Sequence, residues 1–198
     1  MTVIPSSLLQ QYGASLNRFA KGEYIFHESW PAHFYFQVED GSVKLFNAGE
    51  NNDYIQGLFS HGESFGEPPL IAGFCYPADA KAITNCKIWV LKKTDFLSLL
   101  DDNPEVHFEF TKMLAIRLFH KTKLLNAMNT QNPEKRILTI IDYFKDKAPR
   151  ATPCYEVPFT RQAIADMTGL RVETVIKKVL QLAAIGELEL LDHKIVRH

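Results

Sequence analysis

The chain has 198 residues, 46% of them hydrophobic and 23% charged, with a formal net charge of -1, values that suit one middling globular domain plus a small one. No apolar run approaches the ~20 residues of a membrane span, and MTVIPSSLLQQYG lacks the basic start and apolar core of a signal peptide, so a cytoplasmic protein without membrane contact is expected. Cysteines at 75, 86 and 154 form no CxxC and no tight group, which argues against a disulfide framework and a zinc or iron-sulfur centre and predicts buried, reduced thiols.

From about residue 18 to 91, short bursts alternate with turn residues: RFAKGEYIFHE, HFYFQVEDGSVKLFNAGENNDY, IQGLFSHGESFGE, DAKAITNCKIWVLKK. Aromatic and β-branched residues at period two, broken at Gly22, Asp40-Gly41, Gly49 and Gly62, predict many short antiparallel strands closed as a barrel or roll. In VEDGSVKLF, Asp40-Gly41 predicts a hairpin turn through its positive φ. Residues 61–82, HGESFGEPPLIAGFCYPADAKA, gather glycines, acids and prolines and read as an anion cradle, the remains of one, or a tight corner. Pro68-Pro69 fit the first turn of a helix but remove two amides from such a cradle.

From Asp95 the period changes. Asp95 can cap a short helix over FLSLLDD, and Asn103-Pro104-Glu105 then opens a long one with a cap, a first-turn proline and an acid. Val106, Phe110, Met113, Leu114, Leu118, Leu124, Leu125 and Met128 recur at three and four, with neither Gly nor Pro until Pro133. That predicts a helix of over twenty residues, roughly 35 Å long, within about 104–131. Phe108, Ala115, Ile116 and Phe119 add apolar surface on other sides, so one face covers the roll and a second invites another copy of the chain. Phe110, Leu114, Arg117, Leu118, Leu124, Leu125 and Met128 are the residues expected to serve the dimerising helix.

A further helix, NPEKRILTIIDYFKDKA, is capped by Asn132. Charge divides near this point: residues 1–131 carry 11 basic against 14 acidic side chains, and residues 132–198 carry 11 against 9, leaving a small positive excess in the C-terminal part. In FTRQAIADMTGLRVETVIKKVLQLAAIGEL, Thr160 caps a helix, Ala165 lets a second helix cross closely, Gly169 makes the turn, and Val175, Val179 and Leu182 form a buried seam. That is the pattern of a helix-turn-helix. LELLDHKIVRH alternates like a hairpin turning at Asp192-His193 and supplies a wing. Arg161, Gln162, Arg171, Thr174, Lys177 and Lys178 are left on the unburied surface, where they can meet phosphates and base edges. A small helical bundle would also present cationic faces.

The order of roll, long helix and winged helix-turn-helix resembles the cyclic-AMP receptor protein/fumarate-nitrate regulator family of bacterial transcription factors, from about residue 19 to 196. KGEYIFHE, FYFQVEDGSVKLF, GESFGE, TNCKIWVL, LAIRL followed by KRI, and TRQAIADMTGLRVETV carry the resemblance. The fold implied is α+β: an N-terminal antiparallel β-roll of the cyclic-nucleotide-binding jelly-roll type with a long dimerisation helix over residues 1–131, and a C-terminal winged helix-turn-helix over residues 132–198. The resemblance also implies a homodimer on a pseudo-palindromic DNA duplex, a ligand pocket in each roll, and RNA polymerase as a further partner. The DNA-contacting positions it assigns are Thr160, Arg161, Gln162, Glu173, Thr174 and Lys177. Val172 stands where the family has a base-reading arginine and Arg171 where a capping serine is common. A valine offers only apolar contact, for instance to a thymine methyl.

Cyclic-nucleotide binders of this family hold the ribose with the Glu of a Gly-Glu pair, bind the phosphate with an Arg-Ser pair and touch the base from the long helix. Gly66-Glu67 keeps the first element. Tyr76-Pro77 stands where the Arg-Ser pair belongs, and Lys121-Thr122 occupy the base-contacting positions. A buried phosphate without a paired cation and donors is severely destabilised, so the usual mode of cyclic AMP binding is not expected. Lys81 could replace the arginine, but alternation from Tyr76 puts it on the opposite strand face. The roll then senses an unidentified small molecule or has lost sensing, and no other cofactor is expected. A cyclic-nucleotide-responsive regulator is the alternative. From other classes come a cupin-like metal-dependent enzyme, for which His27-Glu28 and His61-Gly62-Glu63 are weak substitutes for His-x-His, and a module whose helix-turn-helix contacts protein. No Ser-His-Asp, Cys-His or P-loop constellation presents itself, so no catalysis is expected.

Overall fold

The computed structural model describes residues 4–49, 53–129, 132–147, 154–192 and 194–198. The chain divides into two compact units, Met1–Ala115 and Ile116–His198. The antiparallel roll, the long helix and the closing helical segment are those expected of the α+β architecture.

In the first unit, helix α1 (Ser6–Gln11) precedes two four-stranded sheets. One holds β1 (Ser15–Phe19), β8 (Cys86–Lys92), β3 (Phe34–Asp40) and β6 (Ser64–Phe65) in that order. The other holds β2 (Tyr24–Phe26), β7 (Asp79–Ala82), β4 (Val43–Asn47) and β5 (Tyr54–Phe59). The pairings within both are antiparallel. Strand β3 explains why FYFQV does not alternate between apolar and polar. Phe36 stacks on Phe65 at 5.3 Å and meets Phe26 of the other sheet at 5.5 Å, while on its opposite face Tyr35 stacks on Phe96 at 4.5 Å. Both faces are buried, so both are apolar.

VEDGSVKLF is not a hairpin. β3 pairs with β6 and β8, and β4 with β5 and β7, so Asp40-Gly41 turns the chain from one sheet into the other. Gly41 does take positive φ, at 89°. Its second requirement is space: a Cβ there would stand 2.4 Å from the Asn85 carbonyl oxygen and 2.8 Å from the Cys86 sulfur. Gly41→Ala is therefore expected to cost about 2–4 kcal/mol, read as a lower urea midpoint with unchanged slope.

Helix α2 (Glu67–Ala72) follows Gly66, and α3 (Lys93–Asp102) begins two residues before the expected cap at Asp95. Helix α4 (Pro104–Met128) starts at the expected proline and belongs to the first unit up to Ala115. There Phe110, 1% exposed, packs on Phe96 at 5.4 Å and on Tyr35, and Val106, Met113 and Leu114 also meet the roll core.

The second unit takes the rest of α4 with α5 (Pro133–Lys147), α6 (Arg161–Thr168) and α7 (Val172–Ala184). A three-stranded sheet, ordered β10 (Glu189–Leu191), β11 (Lys194–Arg197), β9 (Tyr155–Glu156), completes it. Its core is Ile137, Ile141, Ile164, Ala165, Val175, Val179, Leu182 and Ile195. The β10–β11 hairpin is the expected one; His193 lies outside the described residues, and Asp192 has φ 45°. Among the described residues no helix is long and apolar enough to cross a membrane.

Candidate nucleic-acid interface and effector pocket

The helix pair of the second unit is built by local chemistry. Asn132 Oδ1 accepts from the amides of Glu134 and Lys135 at 2.9 and 3.2 Å, closing the start of α5. Thr160 Oγ1 accepts from the Ala163 amide at 3.1 Å, and Gly169, at φ 66°, ends α6 with its amide on the Ala165 carbonyl. Val175, Val179 and Leu182 are buried, as their spacing requires. The opposite side of α7 leaves Glu173 and Lys177 exposed and Val172 and Thr174 half-buried.

Of the residues expected on the open surface, Gln162, Arg171 and Lys177 are exposed, whereas Arg161, Thr174 and Lys178 are half-buried. Lys178 turns to α5, its Nζ 2.8 Å from Glu134 Oε1, so its charge is matched within the unit. Gln162 donates to Asp166 one turn along α6 at 2.7 Å. Arg171 is the exposed N-terminal flank of α7 and makes no side-chain cap. Arg171→Ser is expected to raise stability by about 0.5–1 kcal/mol through the missing cap. The same change should lower the salt slope of duplex binding by about one if the guanidinium meets a phosphate. Arg161, also named from sequence, is half-buried near the start of α6.

Sequence reasoning missed Ile176 and Leu180. They are 46% and 56% exposed on the α7 face that carries Lys177. The signal was present: they are the apolar residues of α7 that fall outside the spacing of its buried seam.

In the roll, Gly66, Glu67 and Tyr76 come together. Gly66 adopts φ 76°, and a Cβ there would lie 3.3 Å from both the Tyr76 and Phe26 rings. Glu67 is 1% exposed and accepts from the Ser64 hydroxyl. The Tyr76 ring stacks on Phe26 at 3.7 Å with an interplanar angle of 11°. Burial pushes its phenol up to about 12, so it stays neutral and supplies no charge to an anion. Its amide donates to the Trp30 carbonyl at 2.9 Å. Pro77 has no amide and gives its carbonyl to Asn47 at 2.8 Å.

Strand β7 begins at Asp79 rather than Tyr76, yet Lys81 still points away from the interior: Ala80 and Ala82 face inward, and Lys81 lies 4.6 Å over the Tyr24 ring. The buried polar and charged residues among those described are Gln37, Ser64, Glu67 and Thr168, with no arginine or lysine. Thr122 donates to the Leu118 carbonyl of its own helix at 3.0 Å, and Lys121 is exposed.

On α4 the residues expected to serve a dimer separate into two sets. Phe110 is enclosed in the roll core and Leu114 packs against it, while Leu124 and Met128 line a hollow with Arg136 and Ile140 of α5. These four are committed within the chain. Leu118 and Leu125 are 69% and 59% exposed, and Arg117 is half-buried. Of the cysteines, Cys86 is buried as expected, whereas Cys75, in an isolated bridge with Pro31, and Cys154, just before β9, are exposed.

Residues 16–103 match the model of the cyclic nucleotide-binding domain. Over 164 residues the chain is 26% identical to the cAMP-activated global transcriptional regulator CRP of Haemophilus influenzae, covering 81% of this chain and 73% of that protein. Its fold superimposes on FixK2 of Bradyrhizobium japonicum with a TM-score of 0.77 at 24% identity, over 93% of this chain and 92% of the other. In sequence and fold the chain is similar to the CRP/FNR transcription regulators, and residues 16–103 carry a cyclic nucleotide-binding domain.

A narrower likeness, 28% over 98 residues, is to lysophospholipase NTE1 of Pyricularia oryzae, of which the match spans 6%. So small a share says nothing of the enzyme's activity here. The Tyr76–Phe26 stack stands where the sequence resemblance implies an Arg-Ser phosphate clamp.

Proposed function

We propose that the chain is a CRP/FNR-type regulator: homodimeric, sequence-specific in DNA binding, and cytoplasmic. Residues 1–131 form its sensor roll and dimer helix, and residues 132–198 its winged helix-turn-helix. The observation that carries the DNA reading is the capped α6, the Gly169 turn and α7, whose outer side offers Val172, Glu173, Thr174, Ile176 and Lys177. Glutamate accepts from a cytosine or adenine amino group, lysine donates to guanine, and the two aliphatic side chains suit thymine methyls. Thr160, Arg161, Gln162 and Arg171 serve the backbone. RNA polymerase is the further partner implied by the family.

The roll does not take cyclic AMP in the usual way. A cyclic phosphate seated at α2 would meet the neutral Tyr76 ring, an amide already donated to Trp30, two prolines and the buried Glu67, with no cation to offset its charge. The effector is another small molecule, or sensing has been lost.

A second reading, a cyclic-nucleotide-responsive regulator, is favoured by the retained Gly66-Glu67 and by the domain match over residues 16–103. Selection of duplexes from a random pool, with and without cyclic AMP or cyclic GMP, separates the two. Enrichment of a two-fold-related site without nucleotide is the expected result. Enrichment only with nucleotide supports the second reading. No enrichment under any condition sinks both and leaves a module whose helix-turn-helix contacts protein.

A further inference from the structure

The closing sheet of the second unit assembles a group of side chains that no DNA-binding role uses. β9 and β11 are antiparallel with Tyr155 opposite Arg197, so the next position along the ladder sets Cys154 opposite His198. Cys154 Sγ lies 3.2 Å from His198 Nδ1. The other ring nitrogen, Nε2, lies 2.9 Å from Glu189 Oε2 on β10. Glu189 is opposite Val196 in the ladder, and the two-residue alternation places Glu189, His198 and Cys154 on one face. Lys145 holds the His198 backbone carbonyl from α5.

Carboxylate, imidazole and thiol in that order make a proton relay. In the tautomer that donates its Nε2 proton to Glu189, Nδ1 is the acceptor facing the thiol. The thiolate is the nucleophilic form, and Cys154 is exposed to solvent. The other two cysteines differ. Cys86 is buried and donates its proton to the Ser42 and Thr84 carbonyls at 3.2 and 3.3 Å. Cys75 is exposed, and among the described residues it has no imidazole hydrogen bond.

We propose that Cys154 is a thiol modification site oxidised by hydroperoxides, with His198 and Glu189 as its positioning residues. The sulfur attacks one peroxide oxygen; an S–O bond forms and the O–O bond breaks. Sulfur loses the two electrons that the peroxide gains, and the thiol proton, passed through His198, leaves on the departing hydroxide as water or, from an organic hydroperoxide, on the alkoxide as an alcohol. The product is a sulfenic acid, which condenses with a low-molecular-weight thiol to a mixed disulfide and a second water. This chemistry stands whether or not the protein binds DNA.

The test is peptide-resolved mass spectrometry of the full chain, timing alkylation by iodoacetamide and dimedone trapping after hydrogen peroxide. Cys75 serves as the internal control. At neutral pH Cys154 is expected to react about tenfold faster than Cys75 in both assays. His198→Gln should bring it to within about twofold of Cys75, and Glu189→Gln should slow it severalfold, with the Cys75 rate unchanged in both. Because unfolding would also part Cys154 from His198, the variants are compared by circular dichroism and urea midpoint, and native values for both assign the slower rate to the lost side chain. Equal rates at Cys154 and Cys75 in the native chain, or a Cys154 rate indifferent to His198→Gln, overturns the proposal.

Discussion

Leu118→Glu combined with Leu125→Glu is expected to halve the mass of the protein in solution and to lower its duplex affinity by two orders of magnitude or more. Phe108, Thr111, Ala115, Leu118, Thr122 and Leu125 follow one another at alternating steps of three and four along α4, and all are exposed. That is the spacing of a two-stranded seam, with Phe119 beside it at 58% exposure. An apolar stripe of this length on a single chain is unusual unless covered. Each leucine buried in a dimer contributes about 1.5–3 kcal/mol. Four are lost per dimer, so about 6 kcal/mol or more leaves the interface, about 10⁴ in its dissociation constant. Glutamates facing their symmetry mates add repulsion.

Duplex binding falls because the second recognition helix is no longer delivered at the effective concentration set by the first. Sedimentation equilibrium reads the mass, and fluorescence anisotropy on a selected duplex reads the affinity. A wild-type chain that is monomeric at micromolar concentration, or a monomeric variant that binds as well as wild type, would refute the seam. Phe110→Ala, by contrast, should leave assembly intact while costing the roll about 3–5 kcal/mol, since that ring packs on Tyr35 and Phe96.

What the sequence disclosed and what it hid follow a physical division. Asn132, Thr160 and Gly169 act on amides within a few residues of themselves, so their effects are written in local spacing and were legible. Asp40-Gly41 announced a turn but not its destination, because positive φ says nothing about which ladder the next strand joins. The faces of α4 could not be sorted from periodicity, since the helix is apolar nearly all round and burial of Phe110 and exposure of Leu118 are decided by what packs against it. Tyr76 was legible as a missing arginine; that its ring would stack on Phe26 was not. Cys154, Glu189 and His198 lie far apart in the chain, and only the register of β9, β11 and β10 brings them to one face.

Cyclic AMP at 1 mM is expected to leave the unfolding midpoint of the protein unchanged. A site of about 10 μM affinity would then be in about 100-fold ligand excess and add about 2.7 kcal/mol to stability, a shift of several degrees for a unit of this size. The expectation follows from what fills the clamp position. Removing the ring should therefore be costly in itself: Tyr76→Ala is expected to destabilise the roll by about 3–5 kcal/mol, because the ring is 4% exposed, stacks on Phe26 and closes over Gly66. An open nucleotide pocket predicts the reverse pair of results. There the tyrosine would line empty space, its loss would cost under about 1 kcal/mol, and cyclic AMP would raise the midpoint where linear AMP did not. Calorimetric unfolding of both proteins, with each nucleotide, separates the cases: a nucleotide-specific shift with a cheap Tyr76→Ala means an open pocket, and the same shift with a costly Tyr76→Ala means that Tyr76 swings out of the stack on binding.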